Sequence, residues 1–139
     1  MVYHGYMSKH EYMAGLIDGE GSIILSHSSN KAYRAPSLSI ASTTPELVEW
    51  CKENYGGFIS TKKVYQEHHR PSWSWQLASW DKLTECLSEV LPYMLEPNKK
   101  ARARMILEEY KAVTPRNGKY TEAMRLAKLS FEERFLALK

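Results

Sequence analysis

Met13-Ala14-Gly15-Leu16-Ile17-Asp18-Gly19-Glu20-Gly21 runs directly into Ser22-Ile23-Ile24-Leu25. Tyr12, Met13, Leu16 and Ile17 form an apolar stripe at helical spacing, and Ser8-x-x-Glu11 upstream has the form of a capping box, so a helix starts near Lys9. Gly19 and Gly21 are expected to stop it. Residues 22–28 are β-branched or small and read as a strand. The chain therefore delivers a helix straight into a strand, with two acids, Asp18 and Glu20, at the junction. An acid at a helix C-terminus faces the negative end of the macrodipole and costs roughly 0.3–1 kcal/mol. Gly15 and Gly19 lie four apart on one helix face with Ala14 beside them, small enough for a second helix to approach closely. If that second helix is a copy related by a two-fold axis, two Glu20 side chains come near each other and repel. A shared cation resolves both penalties. Carboxylates and backbone carbonyls are hard oxygen ligands suited to Mg²⁺, with waters and a phosphate completing the shell.

Outward from this junction the pattern is regular. A polar turn near residues 28–31 leads to a second strand over 36–43, in which Leu38 and Ile40 point one way and Ser37, Ser39 and Thr43 the other. Thr44-Pro45-Glu46 starts a helix whose buried face is Leu47, Val48 and Cys51, and Gly56-Gly57 ends it. Residues 58–65 and 72–79 form a second strand pair around a polar loop. Leu83, Leu87, Val90, Leu91 and Met94 mark the next helix, broken near Pro92 and Pro97. A long helix covers 98–113, and two short ones cover 121–127 and 131–138, the second opened by a capping box at Ser130-x-x-Glu133. The order is αββαββα with a helical tail over 119–139: an α+β chain with one core unit over residues 8–113.

The 139 residues suit one domain, and a net charge of +3 permits a nucleic-acid partner without demanding one. No apolar run approaches the roughly 18 residues that span a bilayer, and the first ten residues lack signal-peptide form. Cys51 and Cys86 have no metal-type spacing and read as reduced core thiols, which fits an intracellular protein, cytoplasmic or organellar. His68-His69 is not a zinc site, because adjacent histidines diverge.

The nine-residue motif and the strand that follows resemble the signature of the LAGLIDADG homing endonucleases, with Met13 where Leu is usual and Gly19 where Ala is usual. The resemblance is sharp over 12–25 and holds by pattern to about residue 113. It implies the αββαββα fold, with antiparallel sheets forming a saddle on the DNA major groove. A single motif implies a homodimer that makes a staggered double-strand break at a long, near-palindromic DNA site. Glu20 matches the metal-binding acid and Gly19 the residue whose carbonyl joins the metal. Asp18 matches the motif's other acid, read as mainly structural. Ala14, Gly15, Asp18 and Gly19 are the implied dimer interface. The implied cofactor is Mg²⁺, with Mn²⁺ as a substitute and Ca²⁺ binding without supporting cleavage. Family sites also hold a lysine in a K-x-x-Q-A context. Lys99 fits best, with Arg102 in place of Gln, and Lys100 is the alternate. Thr44 is the nearest polar residue to hold an attacking water, though a capping role explains it equally.

Strand alternation leaves one sheet face free. From the first pair it carries Ser22, Ile24, Ser26 and Ser28, then Ser37, Ser39 and Thr43. From the second pair it carries Ser60, Lys62, Ser74 and Gln76. Asn30, Lys31, Tyr33, Arg34, His69 and Arg70 stand at the tips. These are the expected DNA contacts, since a β-ribbon enters the major groove and such side chains read base edges and phosphates there. Trp73, Trp75 and Leu77 alternate onto the opposite face as core. The competing reading is an RNA-splicing maturase with an intron RNA partner, or a non-cleaving DNA-binding regulator, on the same fold. Retention of Glu20 and Lys99 favours the nuclease.

Overall fold

The computed structural model describes residues 7–27, 32–62 and 70–139. Ser8 caps α1 (Lys9–Glu20), its Oγ accepting the Glu11 N–H at 3.3 Å. Gly19 does not stop the helix as expected. The helix runs through it to Glu20, and the Gly21 N–H closes the last turn on the Ile17 carbonyl. A Cβ on Gly21 would lie 2.7 Å from the Ile17 Cα, so the strand leaves by folding back across the helix's own end, where only glycine fits.

β1 (Gly21–His27) and β2 (Arg34–Ser42) pair antiparallel, as do β3 (Phe58–Lys62) and β4 (Ser72–Leu77). The two hairpins join through β2 and β4 into one four-stranded sheet of order β1-β2-β4-β3. α2 (Pro45–Tyr55) connects them. It ends at Gly56 and Gly57, both at positive φ, and a Cβ on Gly57 would sit 2.3 Å from the Gln76 carbonyl oxygen. Thr44 occupies the cap position of α2, but its side chain makes no capping bond.

The helices cover one face of the sheet. Ile23, Leu25, Leu38, Ile40, Trp75 and Leu77 are buried there against Met13 and Ile17 of α1 and Val48 of α2. Each such side chain contributes about 1.5–3 kcal/mol on burial, enough to fix which face of every strand turns inward. Trp75 packs in the core as expected and donates its indole N–H to the Gly56 carbonyl at 2.7 Å. Cys51 and Cys86 are free and buried. Burial pushes both thiols up to about 12, so they stay protonated and unreactive.

α3 (Trp80–Val90) passes into a 3-10 turn over Leu91–Tyr93 that absorbs Pro92. The segment expected as one helix over 98–113 starts a residue earlier, as α4 (Pro97–Met105). It then widens to a π turn over Ile106–Tyr110 and tightens to 3-10 over Lys111–Val113. The expected pair of C-terminal helices is a single one, α5 (Glu122–Leu136), capped by Thr121. Ser130 lies inside it and caps nothing. Contacts on both sides of Ser130 hold the helix continuous: Phe131 and Phe135 enter the core, and Lys128 donates to Thr114 Oγ1 at 2.6 Å. No described helix is long and apolar enough to cross a membrane.

Candidate active site and nucleic-acid interface

The last turn of α1 is tied to the start of α4 by a closed ring of bonds. The Asp18 carboxylate accepts the backbone N–H of Leu95 at 2.8 Å and of Glu96 at 3.1 Å. Glu96 then caps α4, accepting the N–H of Asn98 at 3.3 Å and of Lys99 at 2.6 Å. The Lys99 ammonium returns to α1, donating to the Ile17 carbonyl at 3.0 Å and the Asp18 carbonyl at 2.8 Å. Of the two candidate lysines, the structure brings Lys99 to the α1 end. At the basic start of α4, Glu96 offsets the local dipole, and Lys99 reaches the negative end of α1, where a cation is favoured. An ammonium has three N–H donors, and two of these are used on α1.

Glu20 differs from Asp18. Its side chain is exposed and has no ion pair or hydrogen bond among the described residues. Of the four last-turn carbonyls that an α-helix leaves without intrahelical partners, those of Ile17 and Asp18 have found donors in Gly21 and Lys99. The Gly19 and Glu20 carbonyls follow in the same last turn as the Glu20 carboxylate. Hard oxygen donors at a helix C-terminus suit a divalent cation, so these residues fit the ion expected from the sequence. Among the described residues no three His, Cys, Asp or Glu side chains cluster for a metal.

Ser42 and Thr43 share a surface depression with Glu20. Ser42 was not a sequence candidate, because its place beside Glu20 follows from how β2 ends against α1. Ser42 Oγ accepts the Thr44 N–H at 3.0 Å, leaving the Thr44 hydroxyl outside any capping role. Arg102 points inward: Nη1 donates to the Ile23 carbonyl at 2.8 Å, the guanidinium packs 4.8 Å from the Phe135 ring centre, and Nε is buried without a partner. Burial lowers its pKa from the usual arginine value. It ties α4 and α5 to β1.

The small-residue face of α1 is only partly as expected. Gly15 and Gly19 are exposed, with nothing within 4 Å of a built Cβ. Ala14 is 0% exposed within the chain's own core and is not available to a partner. The reason is angular: Ala14 stands one 100° step from Met13 and falls on the side of α1 that faces the core. Asp18, also assigned to the interface, has both carboxylate oxygens engaged within the chain.

The free face of the sheet is as the alternation predicts. Ser22 pairs with Ser39 and Ser39 with Gln76, in one row across three strands. Ile24, Ser26, Ser60 and Ser74 share that face. Ser37 shares it too but is only 7% exposed, so its hydroxyl is covered. Thr43 lies just past the end of β2. Arg34 is turned onto its own hairpin, its Nη1 donating to the Leu25 carbonyl at 3.3 Å, and Tyr33 lies 4.3 Å from the Tyr120 ring. Those two tip residues are thus partly committed to internal contacts. Arg70 is exposed. Ser28, Asn30, Lys31, His68 and His69 lie outside the described residues, and Lys62 is placed in β3 by its backbone. One residue was missed: Phe58, directly opposite Gln76 and 51% exposed. Apolar character alone would assign it to the core.

No protein-family model matches the chain, and no curated protein matches it by sequence. Solved structures do. The homing endonuclease I-CvuI, in complex with its target in the presence of Ca, is 19% identical with TM-score 0.72, covering 94% of this chain and 82% of that one. The archaeal intron-encoded homing endonuclease I-Vdi141I, complexed with DNA, is 21% identical with TM-score 0.72, covering 94% and 84%. The group I intron-encoded homing endonuclease I-CeuI, complexed with DNA, is 14% identical with TM-score 0.69, covering 93% and 67%. A second I-CvuI complex, in the presence of Mg, holds DNA that is not cleaved. The chain has the fold of the LAGLIDADG homing endonucleases.

Proposed function

We propose that this chain, having the LAGLIDADG endonuclease fold, is itself such an enzyme: a homodimeric, Mg²⁺-dependent endonuclease that makes a staggered double-strand break at a long, near-palindromic DNA site. The observation that carries this reading is the contrast between the two acids of the motif. Both carboxylate oxygens of Asp18 are engaged in holding α1 to the start of α4, whereas Glu20, at the end of the same helix, is exposed with no hydrogen bond or ion pair among the described residues.

In this reading the free sheet face lies in the major groove and carries the DNA backbone across the α1 end. Glu20 and the Gly19 carbonyl hold the cation. Bound there, it supplies an activated water and stabilises the leaving oxygen of phosphodiester hydrolysis. Lys99, its third N–H directed away from α1, balances charge on the phosphate. The Asp18–Glu96–Lys99 ring keeps Glu20 and Lys99 at fixed separation, which preorganises the site before DNA arrives. Gly15 and Gly19 admit a second α1 along the exposed face, bringing two Glu20 side chains to the centre of the site.

The direct test is a cleavage selection with the full chain on a randomised palindromic duplex library, in Mg²⁺ and in Ca²⁺. Enriched cut sites in Mg²⁺ alone support the endonuclease. Selected binding in both ions with no cut means a maturase or a DNA-binding regulator on the same fold instead. Two further outcomes are expected. Gly15→Val places a branched side chain on the exposed α1 face, so the folded chain should sediment as a monomer; an unchanged dimer would remove α1 from the interface. Raising salt from about 50 to 200 mM should weaken binding about a thousandfold or more if roughly six phosphates are neutralised. A flat salt response would argue against the sheet as a DNA surface.

A further inference from the structure

We propose that Phe58 and Gln76 form a paired reader of one A·T base pair in each half of the DNA site, a refinement that rests on the endonuclease reading above. The two residues are Cα partners on adjacent strands, β3 and β4, and so present their side chains side by side on the free face. Phe58 is 51% exposed and lies outside the core cluster, whereas its neighbour Ile59 packs against the core. The Gln76 amide makes no hydrogen bond among the described residues. Neither side chain, then, is explained by the chain's own packing.

Their positions are held firmly. Gly57 sits so close to the Gln76 backbone that a Cβ there would be 2.3 Å from its carbonyl oxygen. Trp75, the residue before Gln76, is 0% exposed and bonded to Gly56. The start of β3 is therefore clamped onto β4 at this row, and the row continues through Ser39 and Ser22 to the far edge of the sheet.

Together the pair combines a carboxamide with an apolar ring at a strand spacing of about 4.8 Å. In the major groove a carboxamide bonds adenine in bidentate fashion through N6 and N7, and an apolar ring favours the thymine C5-methyl group. A G·C pair offers no methyl and presents O6 and N7 as two acceptors, so the carboxamide loses one bond and the ring faces the cytosine amino group. The other members of the row are serines, which bond any base and discriminate weakly. The pair is thus the part of this row that selects a base.

The test starts from the target found by the cleavage selection, measuring binding of the full chain by mobility shift. Each thymine is replaced in turn by deoxyuridine, which removes only the methyl group. One position per half-site should weaken binding roughly fourfold, the value of one buried methyl. That loss should vanish in Phe58→Ser. At that same pair, 7-deazaadenine should weaken binding by the wild-type chain roughly tenfold and binding by Gln76→Ala by little. Thermal melts of both variants should match the wild type, since neither side chain is in the core. A bound target with no thymine position coupled to Phe58 overturns the paired reader while leaving the endonuclease standing. Failure to select any target overturns the endonuclease reading itself.

Discussion

Glu20→Gln should abolish DNA cleavage and leave DNA binding intact or slightly tighter. Gln keeps the shape of the side chain and one carbonyl oxygen but removes the negative charge that a hard cation requires. Loss of metal-assisted transition-state stabilisation worth about 4 kcal/mol corresponds to roughly a thousandfold in rate. Folding should not change, because Glu20 is exposed and makes no described contact. Removing a negative charge from the face that meets phosphates favours binding. The measurement is single-turnover cleavage in Mg²⁺ alongside a mobility shift on the same duplex. Cleavage at the wild-type rate would remove Glu20 from the metal site. Parallel loss of binding and cleavage would mean that Glu20 supports the interface rather than the chemistry.

The second large effect is expected at Gly21. Its φ of −85° and ψ of 157° suit any residue, so backbone freedom is not the reason for glycine. Space is. An added Cβ meets the Ile17 Cα at 2.7 Å and the Ile17 carbonyl oxygen at 3.0 Å, and both contacts are backbone that cannot swing aside. Gly21 also closes α1 through its N–H and pairs with Ile40 in the sheet. Gly21→Ala must therefore shift either the helix end or the first rung of the sheet. We expect a loss of about 3 kcal/mol or more in stability, at the upper end of overpacking effects, with cleavage lost because Glu20 moves. Gly19→Ala is the matched control. Nothing lies within 4 Å of its Cβ, and Ala exceeds Gly in helix propensity by about 1 kcal/mol, so the isolated fold should be unharmed. If thermal melts show Gly21→Ala as stable as Gly19→Ala, the close approach at the helix-to-strand junction is not real.

How much of each element is legible in the chain follows the range of the forces that form it. The capping serine of α1, the Pro45 start and double-glycine stop of α2, and the two-residue alternation of the strands are local effects. Each acts within a few residues, and each is legible in the sequence. The break expected at Ser130 failed because a short-range capping pattern was outweighed by burial of Lys128, Phe131 and Phe135 around it. The stop expected at Gly19 failed because one glycine in a last turn is a small penalty against a helix whose Met13, Ala14 and Ile17 are wholly buried.

In the site the same division holds. The sequence by itself determined the order of helices and strands through α4, the delivery of α1 into β1, the position of Glu20 at that junction and the serine-rich free face of the sheet. All of these rest on periodicity and on chemistry within one turn or one strand. Only the tertiary structure decided that β2 pairs with β4, that Asp18 serves backbone N–H groups 77 and 78 residues away, and that Lys99 rather than Lys100 reaches the helix end. It alone turned Ala14 inward, covered Ser37 and exposed Phe58 beside Gln76. Those outcomes depend on which elements pack together and at what angle, a choice made by burial of the whole core and not by any residue's neighbours in the chain.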